Sequence, residues 1–280
     1  MRPLVLLTVL LSVLGSAVLV SAESAAASLQ SILEAPASLR DDTAFSLFRW
    51  DRFPSILLVD TPDFRFQDRM FSRLAFFLEK RDNNALEKRH GWNAHDYGPE
   101  GLASFFNAAQ LAGFELNREE LTLRDLALQN GVIEVSRDRF SPGTGGVLSI
   151  SRSSSSIERR LLLTHESFHG IFFASPEYRE FCFHLWDSMS PGTRAFFKSF
   201  LDELGYDADY RYLCVNEFQA YLMQQPIRFA PEYFQRVARR FGNEDHVVPV
   251  VGMLEAAHRL GGFLRTRFGM ESPRSLGRSG

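Results

Sequence analysis

The segment Leu161–Phe172 constrains the fold most, because it holds ionisable side chains within a stretch that is otherwise uncharged. Its ionisable residues are His165, Glu166 and His169, and it lacks proline. The apolar residues around them predict a buried helix over 157–174. Burying ionisable groups costs free energy unless each finds a partner. The fold must therefore bring partners to these three side chains.

The spacing of the two histidines indicates a metal site. Residues four apart lie on the same face of a helix, about one turn from each other, so the imidazoles of His165 and His169 can bind one ion. Glu166 lies to the side of that pair, where its carboxylate can accept a proton from a metal-activated water. Two core histidines on an amphipathic helix are the alternative, but that interpretation leaves the buried Glu166 without a partner.

The run from His165 to His169 resembles the motif of the zincin metallopeptidases. The resemblance implies one zinc ion and an α+β, zincin-like fold with a small β-sheet, a metal-binding helix and a mostly helical C-terminal half. It also implies hydrolysis of peptide bonds by a zinc-activated water, with Glu166 as general base. The metzincin branch would continue with glycine and histidine where this chain has Phe172 and Ser175. The resemblance is therefore to the gluzincin branch.

Gluzincins take their third zinc ligand from a glutamate on a separate downstream helix. The resemblance assigns this role to Glu217, in a helix predicted over 208–225 where the small Ala220 would allow close approach of the two helices. Some gluzincins carry an aspartate four residues after this ligand, but here that residue is Tyr221, so the residue that would hydrogen-bond to the histidine ligands is unassigned. Competing third ligands lie on the helix predicted over 176–189: Glu180, His184 and Asp187.

Other parts of a hydrolytic site are less closely specified by the sequence. Tyr221 is the first candidate for stabilising the oxyanion, with Tyr212 and His258 as alternatives. The strand predicted over 147–151 is either the edge strand against which an extended substrate lies or an ordinary strand of the sheet. In the polar segment 90–98, two histidines and an aspartate could contribute to a site, but we expect a hydrogen-bonded turn.

Apolar periodicity predicts the remaining elements. Short apolar runs predict strands over 55–60 and 132–135, and the stretch from 23 to 44 is expected to be helical or loose. Asn117 followed by Glu120 predicts a capping box at the start of a helix. Helical spacing predicts helices over 64–81, 99–112, 117–130, 157–174, 176–189, 191–204, 208–225, 230–241 and 246–268.

The N-terminus predicts export. Arg2 precedes an apolar stretch, Leu4–Val20, and Ala22 offers a small-residue cleavage site, which is the pattern of a signal peptide over 1–22. An uncleaved anchor helix is the alternative, and only then would the protein associate with a membrane. Either interpretation predicts a periplasmic, secreted or cell-envelope location. The rest of the chain divides into an N-terminal α/β region of unknown role (23–140), a zincin-like catalytic region (141–270) and a flexible tail (271–280).

Composition excludes one class of partner and leaves other questions open. The 31 basic and 34 acidic residues form no long block of one sign, so no nucleic-acid surface is expected. The expected partner is a peptide or protein substrate. Alternatives are an envelope zinc hydrolase of a non-peptide or cell-wall amide and a non-catalytic envelope binding protein. Cys182 and Cys214 form either one disulfide, which an oxidising compartment would permit, or two buried thiols.

Overall fold

The computed structural model describes residues 25–34, 44–80, 86–89, 91–240 and 248–270. The predicted signal peptide, the predicted tail and His90 lie outside the described residues. Within these ranges, no helix is long and apolar enough to cross a membrane.

The strands are β1 (Ala25–Ala27), β2 (Ser46–Trp50), β3 (Phe53–Thr61), β4 (Ala94–Tyr97), β5 (Ile133–Ser136), β6 (Arg139–Pro142) and β7 (Gly146–Ser151). Five of them form a sheet in the order β1-β2-β3-β7-β4, in which β3 and β7 are parallel and β4 is antiparallel to β7. The other two, β5 and β6, form a separate hairpin. Both residues of its loop, Arg137 and Asp138, have positive φ, as a type I′ turn requires.

The helices are α1 (Leu29–Glu34), α2 (Phe64–Glu79), α3 (Pro99–Leu111), α4 (Arg118–Gln129), α5 (Ser156–Ala174), α6 (Pro176–Ser188), α7 (Pro191–Glu203), α8 (Arg211–Met223), α9 (Ala230–Arg240) and α10 (Val250–Phe268). A short 3₁₀ turn at Ile227–Phe229 precedes α9. The predicted capping box at Asn117 and Glu120 is confirmed at the start of α4.

The five-stranded sheet is buried on both faces because its strands alternate apolar side chains between two cores. Along β3, Ile56 and Leu58 belong to one core, whereas Leu57 and Val59 belong to the other. Residues of α1 and of α5 to α10 fill the first core, and residues of α2, α3 and α4 fill the second. The chain is therefore an α+β protein, as expected, with its main sheet between two layers of helices.

Helix α5 lies close against the middle of the sheet. A Cβ added at Gly170 would lie 3.1 Å from the Leu148 side chain and 3.4 Å from those of Ile56 and Trp50. The absence of a side chain at this position lets the helix backbone approach β3 and β7. This close approach sets the distance between the sheet and the segment of α5 that contains the two histidines.

A buried ionic network holds the start of α5 to the ends of two strands. Asp60, near the end of β3, accepts a hydrogen bond from Arg159 Nη1 at 2.8 Å and pairs with Arg152 Nε at 3.4 Å. Arg159 belongs to the first turns of α5, and Arg152 directly follows β7. Ser155 and Glu158 form a capping box that satisfies backbone N–H groups at the helix start. These contacts fix the position of α5 along the sheet.

The structure confirms the predicted helices to within a few residues and differs mainly in strands. The prediction of a hydrogen-bonded turn within 90–98 is wrong for Ala94–Tyr97. These residues form the edge strand β4, which pairs with β7. The strand predicted over 147–151 lies between β3 and β4, so it is an ordinary interior strand. Part of the stretch from 23 to 44 forms the strand β1, and no strand was predicted at β2 or β6.

Candidate metal centre

Two imidazole nitrogens face each other on α5. The side chains of His165 and His169 are buried, and their Nε2 atoms are 3.0 Å apart. Gln224 Oε1 lies 3.0 Å from His165 Nδ1, and because an amide oxygen only accepts hydrogen bonds, Nδ1 must carry the proton. The lone pair of His165 therefore lies on Nε2, which faces His169.

Helix α8 packs against α5 and brings Glu217 to the imidazole pair. Glu217 Oε2 lies 3.6 Å from His165 Nε2 and 3.8 Å from His169 Nε2. Together with the separation of the two nitrogens, these distances leave a point roughly 2.0 Å from all three atoms, which is the length of a zinc bond to nitrogen or oxygen. Ala220 is fully buried on α8 and leaves room for the approach. The side chains of His165, His169 and Glu217 could hold one metal ion and are here called the metal set.

Burial removes positive charge from the histidines and opposes negative charge on the acids. It lowers the pKa of His165 and of His169 to about 4, so both imidazoles are neutral at neutral pH and have a free lone pair. Burial also raises the pKa of Glu217 to about 7 and that of Asp96 to about 6. A cation bound between these groups would stabilise the ionised carboxylates.

Asp96 places a carboxylate beside the second histidine. Its Oδ2 atom lies 3.5 Å from His169 Nδ1 and accepts a hydrogen bond from Asn216 Nδ2 at 3.3 Å. Asp96 belongs to β4, where side chains alternate between the two faces of the sheet, and it lies on the side of α5. A carboxylate at the second nitrogen of a histidine ligand fixes the ring orientation and increases its basicity.

Glu166 lies close to both Asp96 and His169. Its Oε2 atom is buried and has no hydrogen-bond partner among the described residues. Burial raises the pKa of Glu166 well above its usual value, and the negative charges of Asp96 and Glu217 raise it further. Asp96, Glu166 and His169 also form a second set with ligand atoms close enough for an ion. The two sets share His169, and the distances between ligand atoms fit an ion in either set.

The metal set opens onto a cavity of about 340 Å³, here called the cleft, whose lining includes His165, Glu166 and Glu217. The ring of Tyr221 packs against the ring of His165, with centroids 4.5 Å apart. The hydroxyl of Tyr221 lies 3.5 Å from that of Tyr206, which also lines the cleft. Burial raises the pKa of both phenols, so each keeps its proton and can donate a hydrogen bond.

The structure does not bring the competing residues to the histidine pair. Glu180 and His184 are exposed and pair with each other, and Asp187 is exposed and pairs with Arg211. His258 is exposed on α10, away from the cleft lining. The remaining alternative for the oxyanion, Tyr212, packs against Phe172 and Phe183 and does not line the cleft.

The two cysteines are separate buried thiols in the structure. Cys214 Sγ donates to the carbonyl oxygen of Ala208 at 3.2 Å. Burial raises the pKa of Cys214 to about 11, so its thiol stays protonated. Of the two arrangements that the sequence left open, the structure has the pair of buried thiols.

Sequence reasoning did not identify Gln224 or Tyr206 as parts of the site, and it gave Asp96 only as the less favoured alternative to a turn in the segment 90–98. Gln224 stands seven residues after Glu217, which is two helical turns along the same face of α8, so helical spacing could have indicated it. Asp96 reaches the site only because β4 pairs with β7, and no local pattern in the sequence specifies that pairing. Tyr206 lies in the connection between α7 and α8.

Comparisons with protein-family models, with curated proteins and with solved structures give no match.

Proposed function

We propose that the protein is an exported zinc-dependent metallopeptidase with a zincin-like fold of the gluzincin type. The observation that supports this most directly is the convergence of His165 Nε2, His169 Nε2 and Glu217 Oε2 at separations of 3.0, 3.6 and 3.8 Å. Three protein ligands with one open position are typical of a catalytic zinc site. The neutral imidazoles and the buried carboxylate match the donor types that zinc prefers.

Glu166 acts as the general base and then as the general acid. A zinc ion at this site would lower the pKa of a water molecule and polarise the carbonyl group of the substrate. Glu166 Oε2 is unpartnered and adjoins the ligands, so it can take the proton from that water as the water attacks the carbonyl carbon. Glu166 then passes this proton to the nitrogen of the leaving amine.

The edge of β4 supports an extended peptide as the substrate. β4 is the last strand of the sheet on the side of the metal set, and residues 93–96 line the cleft. A strand edge offers backbone N–H and C=O groups that pair with an extended chain. In this arrangement the peptide lies along β4, with a carbonyl group next to His165 and His169.

Tyr221 stabilises the negative charge that develops on the carbonyl oxygen. Its hydroxyl keeps its proton because burial raises its pKa, and its ring is held against His165. The neighbouring Tyr206 hydroxyl orients that of Tyr221. A hydrogen-bond donor in such a position contributes to kcat because it is most effective when the oxygen is charged.

Metal analysis and one substitution test the proposal. Protein purified without chelators should contain close to one zinc per chain, and Glu166→Gln should retain the zinc but lose peptide hydrolysis. Glu180→Gln is the matched control, because that carboxylate is exposed on α6 and should leave both properties unchanged. Protein without zinc would contradict the proposal, and so would a Glu166→Gln variant with full activity.

A further inference from the structure

A second cavity adjoins the cleft. It has a volume of about 250 Å³ and is here called the side cavity. The two cavities share Glu79, Asp96 and Glu217 in their linings, so they meet at these three carboxylates. Its lining also includes Glu100 and Tyr210, which are both exposed, so the side cavity is open to solvent.

The charge of the side cavity has one sign. Its lining contains four carboxylates, from Glu79, Asp96, Glu100 and Glu217, and among the described residues it contains no lysine or arginine. Glu217 belongs to the proposed metal set, which leaves three carboxylates that a metal would not neutralise there. Carboxylates that line one small cavity repel one another, and a cation between them relieves the repulsion.

Glu79 gives independent evidence for a missing partner. Its side chain is nine-tenths buried, at 9% exposure, and lines both cavities. Its carboxylate makes no hydrogen bond or ion pair with another described residue. The nearby Lys80 Nζ lies over the ring of Tyr206, 4.7 Å from its centroid, rather than at ion-pair distance from Glu79. A buried carboxylate without a partner is costly, and a ligand that donates hydrogen bonds to it would relieve that cost.

The walls of the side cavity fit an alkyl chain that ends in a positive charge. Leu78, Leu213 and Phe173 provide apolar surface, and Tyr210 and Tyr212 add aromatic rings near the open end. Lysine and arginine side chains bury their stems against apolar surface while their charged groups pair with acids. Aromatic rings also attract cations.

We propose that the side cavity binds the basic side chain of a substrate residue next to the bond that is cleaved, so that the enzyme prefers peptides with lysine or arginine there. This inference rests on the proposed function, because it takes the bond to be cleaved at the metal set. The preference itself is a property of the side cavity and is measurable without cleavage.

Binding of two matched peptides tests the proposal. The peptides are acetylated, amidated alanine hexapeptides that carry either lysine or its uncharged analogue norleucine at the third position, and they are titrated calorimetrically into zinc-loaded Glu166→Gln protein. A charge-assisted hydrogen bond makes the lysine peptide bind at least about tenfold more tightly. Equal affinities for the two peptides would overturn the proposal.

Two further substitutions test whether the preference for lysine arises in the side cavity. Adding Glu79→Gln or Glu100→Gln to the same protein should reduce the ratio of the two affinities severalfold, whereas adding Glu180→Gln should not. Glu100 is exposed in the first turn of α3, so Glu100→Gln keeps the test valid even if Glu79→Gln does not fold. A ratio that neither substitution changes would overturn the proposal.

Hydrolysis by the wild-type protein separates this inference from the proposed function. A lysine preference in binding without hydrolysis of either peptide by zinc-loaded protein would support the side cavity and contradict the peptidase. Hydrolysis of both peptides at equal rates, with equal affinities, would support the peptidase and overturn the role of the side cavity.

Discussion

At the scale of single residues, His169 joins the two sides of the site. Its Nε2 atom faces His165 and Glu217, and its Nδ1 atom faces Asp96. Gln224 plays the corresponding part for His165. Each imidazole thus has at its Nδ1 atom a polar neighbour that does not itself belong to the proposed ligand set.

The first prediction concerns Asp96. Asp96→Asn removes the negative charge beside His169 Nδ1, so the basicity of the ligand falls, and we expect zinc to bind about 10- to 100-fold more weakly. Competition with a chelator of known affinity measures the change. Asp187→Asn, an exposed aspartate on α6, is the control and should bind zinc as the wild type does. Unchanged affinity in Asp96→Asn would show that Asp96 does not act through His169.

The second prediction concerns Tyr221. Tyr221→Phe keeps the ring against His165 but removes the hydroxyl, so we expect kcat to fall about a hundredfold, with KM and zinc content close to those of the wild type. Steady-state kinetics on a peptide substrate gives both constants. A residue that only packs would leave kcat unchanged, and that result would remove Tyr221 from the chemistry.

At the scale of elements, α5 is held by contacts at its start and in its middle. Asp60 joins the end of β3 to Arg152 and Arg159, and Gly170 lets the helix lie close to the sheet. All of these groups are distant in sequence from the helix of Glu217. The position of α5 on the sheet therefore determines where Glu217 of α8 must lie in order to reach the two histidines.

The third prediction concerns Asp60. Asp60→Ala leaves two buried arginines without their shared partner, and we expect the free energy of unfolding to fall by about 3 kcal/mol or more. Urea denaturation monitored by circular dichroism measures the loss. Asp125→Ala should cost less than about 1 kcal/mol, because Asp125 and its partner Arg124 are partly exposed. Equal losses in the two variants would contradict the proposed role of the network.

The sequence predicted the parts of the fold and site that depend on local pattern. His165, Glu166 and His169 were identified because four-residue spacing on one helix fixes their relative position. Glu217 required the additional resemblance to gluzincins, since spacing alone cannot say which distant helix packs against α5. Asp96 was only the less favoured alternative to a turn, because a short polar strand has no apolar alternation and its position depends on pairing with β7.

At the scale of the whole molecule, the candidate site joins residues from both halves of the chain. Glu79 and Asp96 come from α2 and β4, whereas the proposed ligands come from α5 and α8. β7 separates β4 from β3 in the sheet, so the N-terminal region folds around a strand of the C-terminal region. A ligand bound between these elements should therefore stabilise the whole fold.

The fourth prediction concerns zinc and stability. Free zinc at about a thousand times its dissociation constant should raise the free energy of unfolding by about 4 kcal/mol, because the unfolded chain lacks the assembled site. Thermal denaturation with and without zinc shows the shift in Tm. His169→Ala should lose most of the effect. A zinc-dependent shift of the same size in His169→Ala would indicate that zinc binds elsewhere.

The central claim is that one zinc ion lies between His165, His169 and Glu217. Anomalous diffraction at the zinc edge, from crystals of the full protein prepared with zinc, tests it most directly. We expect one strong peak about 2.0 to 2.2 Å from His165 Nε2, His169 Nε2 and a carboxylate oxygen of Glu217. The absence of a peak there, or a peak bound by Asp96, Glu166 and His169 Nδ1 instead, would contradict the claim.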